Sequence, residues 1–333
     1  MASYIESYCN EQMPPPYTFQ NVRIWSFPLL ASYEKVQELV SRYLRPDGSQ
    51  EGGVPFDLLR GGDGVHAASS LVYMMVLDYG RMACAAPPGS QMGSFRQREY
   101  LFGIPVIGNF SGRRRIAFFC PFIFVDCGWS MICGNTVLGY PKQPAWFNLP
   151  AQGDYPIRID APVMVKYSPE TVQSWQMVAD ITANRLVEDM AEVADDVAKV
   201  VEDVAGEMVA WPFGPIERIF GEGGAFPLEG AMRDLFRSQT EEMSYEIVQL
   251  KQIRNAQFPD QACYRSLLTC TSALRKMSGF RLLAEPAIRL PSYASLDIVN
   301  TLGLFEVNGV IRPVMPYEMQ CDFDFVDAVE QPI

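Results

Sequence analysis

The sequence predicts an α+β chain built on a largely antiparallel β-sheet or barrel, with flanking helices and an acidic helical insertion. Three observations carry that expectation. Aromatic and β-branched runs broken by turn signals fill residues 67–159. Apolar and polar residues alternate strictly near the C-terminus, and apolar residues recur at helical spacing in two separate stretches.

Taken in order, Met1 to Pro16 is polar and proline-rich and lacks the basic start and apolar run of a secretory signal. Residues 31–44 place Val36, Leu39, Val40 and Leu44 on one face of a short amphipathic helix. The Gly-, Asp- and Pro-rich stretch that follows, to about residue 68, reads as loop. From Ala67 to Ile159, strands are expected to be joined by hairpins, with turn signals at Pro87-Pro88-Gly89 and Asn109-Phe110-Ser111-Gly112. Residues 168–245 read as a helical, acidic insertion. Within it Met190, Ala194, Val197, Val201, Val204 and Met208 recur every three or four positions among acidic residues. That stripe is one packed face: a helix docked on its own domain, or one at a subunit interface or over a pocket mouth. Strands return after residue 248. In the last, Met319, Cys321, Phe323 and Phe325 face a core, while Gln320, Asp322 and Asp324 face water. The Asp322, Asp324, Asp327 series reads as a solvated face, since nothing nearby supplies the further oxygens a cation needs.

The 333 residues suit two domains, or one large domain with an insertion. Hydrophobic residues at 48% and charged residues at 20% exclude global disorder. With 27 Lys+Arg against 39 Asp+Glu, the net charge is -12, which repels phosphates and argues against a nucleic-acid partner. The longest apolar run, Ile116 to Val125, is too short to span a bilayer. Eight cysteines, at 9, 84, 120, 127, 133, 263, 270 and 321, form no CxxC pair and read as free thiols of a reducing, cytoplasmic compartment.

The chain has one histidine, His66, so any site needing two from one chain is excluded, which removes most zinc hydrolase and facial-triad iron sites. Its loop context, Asp63-Gly64-Val65-His66, reads as structural or surface and gives a triad little support. Gly128-Trp129-Ser130-Met131-Ile132 lacks the second glycine of a nucleophile elbow. Gly221-Glu222-Gly223-Gly224 fits no nucleotide-binding loop. Arg113-Arg114-Arg115 reads as a solvated hairpin end. Among six lysines, at 35, 142, 166, 199, 251 and 276, Lys142 differs. It stands in Gly139-Tyr140-Pro141-Lys142-Gln143-Pro144-Ala145-Trp146-Phe147, where two prolines and a glycine set an irregular backbone and three aromatics crowd the amine. Unpaired burial lowers a lysine pKa, and a neutral amine can attack a carbonyl to form a Schiff base. A cation–π contact or a snorkelling lysine are the alternatives. Because it removes a buried ammonium without leaving a charge behind, Lys142→Met is expected to leave stability unchanged or raise it slightly.

Val125-Asp126, Gly134 and Gly139-Tyr140-Pro141-Lys142 resemble the acetoacetate decarboxylase family, in which a Tyr/Phe-Pro-Lys motif carries the Schiff-base lysine. Glu99, with Tyr100-Leu101-Phe102-Gly103-Ile104-Pro105-Val106 after it, is similar to the segment carrying that family's active-site glutamate. Weaker similarity runs through Pro16-Tyr17-Thr18-Phe19-Gln20-Asn21, through Leu250-Lys251-Gln252-Ile253 and through Tyr317 to Phe325. There are departures. Gln143 stands where the family has a second lysine, and Gly134-Asn135-Thr136 replaces Gly-Arg-Glu. Arg23 falls one position late for the family's early arginine. An acidic residue expected on the strand before Glu99 is replaced within Val72-Tyr73-Met74-Met75.

The resemblance implies a single domain over residues 1–333 of barrel-like antiparallel type, interrupted by the insertion at about 168–245. It further implies a homo-oligomer with a closed apolar pocket that needs no organic or metal cofactor. Lys142 and Glu99 are the implied catalytic pair, with Tyr140, Gln143, Trp146, Arg23 and Trp129 as candidate substrate contacts. The implied activity is a Schiff-base carbon–carbon lyase of secondary metabolism, a decarboxylase acting on a β-keto acid larger than acetoacetate, such as a polyketide-like acid. A Schiff-base aldolase, dehydratase or cyclase, and a non-catalytic ligand-binding barrel, are the alternatives.

Overall fold

The computed structural model describes Ile5 and residues 14–45, 56–58, 69–110, 113–151, 153–183, 244–313 and 316–331. The stripe from Met190 to Met208, His66 and the Gly221–Gly224 segment lie outside the described residues.

Seven long strands close a ring through hydrogen-bonded neighbours. Around it run β1 (Tyr17–Ser32), β3 (Ser69–Cys84), β4 (Phe95–Phe110), β5 (Arg113–Val125), β10 (Ser244–Arg254), β11 (Ala262–Leu282) and β13 (Tyr317–Gln331), and β13 returns to β1. The short β2 (Phe56–Leu58) extends β4, and β6 (Lys142–Pro144) extends β5. The sheet is mixed rather than simply antiparallel, because β5 runs parallel to both β10 and β6. A second, four-stranded sheet has the order β12 (Pro286–Arg289), β9 (Ser174–Ala183), β8 (Ile157–Val163), β7 (Trp146–Asn148). Residues 174–183, expected within the helical insertion, are therefore strand. Their helix-compatible composition yields to pairing on both edges, with Val178, Ala179 and Ile181 buried.

Helices are few. α1 (Tyr33–Leu44) starts where the Ser32 hydroxyl accepts from the Lys35 amide, and it buries Val36, Val40 and Leu44 as its spacing predicts. Each such aliphatic side chain contributes roughly 1.5–3 kcal/mol. No helix among the described residues is long and apolar enough to cross a membrane.

Two cores result from strand alternation. The outward face of β1, with Trp25, Phe27, Leu29 and Ala31, packs in one cluster with α1 and with Ile157, Ile159 and Ile181 of the second sheet. The other cluster lines the ring interior, and bulges set which residues enter it. On β1, Phe19 and Val22 both point inward because register shifts at Gln20-Asn21, where Asn21 has φ 54°. Gly80 faces this bulge across the ladder, and a Cβ there would meet Asn21 at 2.9 Å. On β5 an extra residue near Pro121 flips parity, so Phe118 and Cys120, then Ile123 and Val125, face inward. The last strand alternates as expected: Cys321, Phe323 and Phe325 are buried, while Asp324 pairs with Arg275 and Asp322 accepts from the Asn21 amide. Cys84, Cys120, Cys133, Cys270 and Cys321 are buried thiols, and Cys263 is exposed.

Candidate active site

Lys142 reaches the ring interior because of how β5 connects to β6. The chain leaves β5 through α2 (Gly128–Cys133) and one π-helical turn, Gly134–Leu138. Gly139 closes that turn at φ 72°, and a Cβ there would stand 2.6 Å from the Lys251 Cα, so both backbone shape and space demand glycine. The Tyr140 amide donates to the Gly134 carbonyl at 2.9 Å. The Asn135 side chain then holds Lys142 as a neighbouring strand would. Its Oδ1 accepts from the Lys142 amide at 2.8 Å, and its Nδ2 donates to the Lys142 carbonyl at 3.1 Å. Lys142 pairs with Ile123, and its stem crosses Gly134, where a Cβ would meet Lys142 Cδ at 2.6 Å.

Glu99 arrives from the opposite side of β5. It lies on β4 opposite Val125 and Leu77, and alternation turns Gln97, Glu99 and Leu101 into the ring while Tyr100 and Phe102 pack outside. Lys142 Nζ donates to Glu99 Oε2 at 2.8 Å and to Ser130 Oγ at 2.9 Å. The Tyr79 hydroxyl donates to Glu99 Oε1 at 3.1 Å. The two side chains are 9% and 8% exposed, so this is a buried ion pair, not a lone ammonium. The amine also lies 5.8 Å from the centroid of the Tyr140 ring.

The pair opens onto a cavity of about 110 Å³. Its walls are apolar and aromatic, including Phe19, Tyr79 and Phe323, whose rings pack at 4.6 to 6.2 Å between centroids. Lys142 and Glu99 are the charged residues among those lining it. Burial pushes the Cys120 thiol well up, the Glu99 charge adds to this and Lys142 opposes it. Burial likewise pushes Cys270 up to about 12 and the Tyr140 phenol well above its ordinary value. Cys120 and Tyr140 line the cavity beside the pair, where burial disfavours their ionised forms. Among the described residues, no group of three or more His, Cys, Asp and Glu is placed to hold a metal ion.

Of the sequence-predicted site residues, the structure brings together Lys142, Glu99 and Tyr140. It leaves the other four outside the cavity. Arg23 lies on the face of β1 opposite Ile24, which lines the cavity. Its guanidinium stacks 4.1 Å from the Trp25 ring and pairs with Glu318 at 2.9 Å, within a group that includes Arg281 and Asp154. Gln143 alternates to the other side of β6 from Lys142 and is exposed. Trp146 is 65% exposed against Trp175, and Trp129 is 42% exposed against Phe95. Ser130 and Tyr79, which hold the pair, carried no sequence signal of their own. Gln97, two residues before Glu99, was legible only once β4 was known to be a strand.

No protein-family model matches the chain, and no curated protein matches its sequence. Its fold is acetoacetate decarboxylase-like. It superposes on the acetoacetate decarboxylase of Legionella pneumophila subsp. pneumophila str. Philadelphia 1 with 13% identity and a TM-score of 0.50, over 99% of this chain and 98% of that one. A second acetoacetate decarboxylase structure matches with 13% identity and a TM-score of 0.52, over 99% of this chain and 95% of that one.

Proposed function

We infer that this acetoacetate decarboxylase-like chain is a Schiff-base enzyme, a carbon–carbon lyase that decarboxylates a β-keto acid larger than acetoacetate. The observation that carries the reading is the 2.8 Å contact between Lys142 Nζ and Glu99 Oε2 on a cavity with no other charged lining residue among the described residues. A proton passing along that contact leaves a neutral amine beside a neutral carboxylic acid, in surroundings that penalise charge. The amine then adds to the ketone carbonyl, and loss of water gives an iminium on Lys142. The bond to the carboxylate carbon breaks, its electron pair moves into the enamine, and carbon dioxide leaves. Glu99, left ionised because its proton departed with that water, takes up a proton from solvent and delivers it to the enamine carbon, and water hydrolyses the resulting iminium to free ketone and lysine. Ser130 and Tyr79 hold nucleophile and acid in register throughout, and the apolar walls exclude bulk water.

A second reading keeps the iminium and replaces carbon dioxide loss with an aldol, dehydration or cyclisation step. It is favoured by the placement of Arg23 and Gln143, which leaves no second cation among the described residues facing a substrate carboxylate. Borohydride reduction in the presence of β-keto acids of increasing chain length, followed by peptide mapping, tests both readings. The expected result is a reduced adduct on Lys142 together with one carbon dioxide per turnover. Adduct without carbon dioxide selects the second reading, and no adduct with any carbonyl compound refutes both.

A further inference from the structure

Two polar side chains that line the cavity take no part in the chemistry above. Gln97 is 3% exposed and its side-chain oxygen has no hydrogen-bond partner among the described residues. Ser272, on β11, is 1% exposed and its hydroxyl is likewise without a partner. Buried polar groups are nearly always paired, because a buried orphan forfeits its hydration and gains nothing. With the Tyr140 hydroxyl beside Lys142 also unpaired among the described residues, Gln97 and Ser272 are lining groups left open to a ligand's hydrogen bonds. They cannot satisfy each other through strand pairing, since β4 and β11 are not neighbours in the ring.

We propose that Gln97 and Ser272 form a second subsite that binds a neutral hydroxyl carried by the substrate away from its reacting carbonyl. This rests on the Schiff-base reading and names the substrate class for it: a carbonyl compound with an apolar body and a remote hydroxyl. Charge decides the chemistry of that group. Lys142 and Glu99 are already paired, so a second ionised group on the ligand would meet no counter-charge among the described residues lining the cavity. A hydroxyl suits both partners, donating to the Gln97 amide oxygen or accepting from the Ser272 hydroxyl. The Phe19, Tyr79 and Phe323 rings supply apolar contact for the body between the two ends. In a decarboxylase the carboxylate is consumed, and this hydroxyl stays to hold the product side.

Borohydride trapping on Lys142 reads the subsite without requiring turnover. The probes are straight-chain methyl ketones of graded length, each with and without a terminal hydroxyl. With the parent protein, at least one hydroxylated ketone should form adduct about tenfold faster than its plain counterpart. Gln97→Leu should bring that ratio to about one while plain ketones still react, and Ser272→Ala should reduce it several-fold. Equal trapping of both probe types across the series by the parent, or a preference that survives both substitutions, overturns the subsite. Adduct formation without preference leaves the Schiff-base reading standing, whereas no adduct with any ketone refutes that reading and this one together. Melting supplies a second check. Removing an unpaired buried amide should hold or raise the melting temperature of Gln97→Leu, and a clear fall would make Gln97 structural and overturn the proposal.

Discussion

Lys142→Met probes the buried pair as well as the chemistry. A lone buried ammonium would make this change neutral or stabilising, and the structure reverses that expectation. Lys142 Nζ is held 2.8 Å from Glu99, and both side chains are more than nine-tenths buried. Methionine keeps the volume but leaves Glu99 facing an apolar cavity with Tyr79 as its remaining hydrogen-bond donor. Breaking a buried pair from one side costs about 3–5 kcal/mol. In a chain of this size that lowers the melting point by roughly 4–7 °C. Removing both charges with Lys142→Met and Glu99→Leu should restore most of the loss, since apolar replacement of a whole buried pair is neutral to stabilising by about 1–4 kcal/mol. Thermal and guanidinium unfolding of the parent, both single variants and the double variant completes the cycle, in which the double variant should lose far less than the two single variants together. Every variant lacking Lys142 should also lose turnover by about 10⁴-fold or more. A Lys142→Met protein that melts with the parent, and a double variant that adds nothing, would refute the pairing. Retention of a tenth of parental turnover would refute the covalent route.

Further perturbations separate positioning from chemistry. Gly134→Ala places a methyl 2.6 Å from Lys142 Cδ and should swing the amine off Glu99. Borohydride trapping should slow about tenfold or more, for a stability loss of about 1–3 kcal/mol; unchanged trapping would show that the lysine stem has room to spare. Tyr79→Phe deletes the donor to Glu99 Oε1 and should cost about 0.5–1.5 kcal/mol while displacing the pH–rate profile, which a merely structural tyrosine would not do. Glu318 links folding to acid. Burial raises its carboxyl, but hydrogen bonds from Arg23 and Gln320 and the charges of Arg23 and Arg281 outweigh that and hold it below its ordinary value of 4.5. A depressed carboxyl contributes stability above that ordinary value and loses it as pH falls through the folded one. Glu318→Gln should therefore melt lower at neutral pH by about 1–3 kcal/mol, with the gap closing in acid; a gap that stays constant with pH would show the network to be electrostatically idle.

Periodicity and local motif were enough to place several parts of this molecule before any contact was known. Alternation from Met319 to Phe325 marked a two-faced strand, and apolar spacing over 31–44 marked α1, because strand and helix each repeat with a fixed period. Lys142 stood out by its proline-bounded, aromatic segment and Glu99 by resemblance to the acetoacetate decarboxylase family, and both side chains meet in the site. The rest depended on the third dimension. Residues 174–183 are strand because β8 and β12 bind their two edges, information absent from the segment itself. Arg23 and Ile24 differ by one position, and the bulge at Gln20-Asn21 decides which of them faces the cavity. The same parity rule places Gln143 outside while drawing in Gln97 and Ser272 from distant strands, and the short helix α2 turns Trp129 out and Ser130 in. A strand's side chains change face with a shift of a single residue, so the sequence names the groups capable of chemistry, while ring closure and its bulges choose which of them meet.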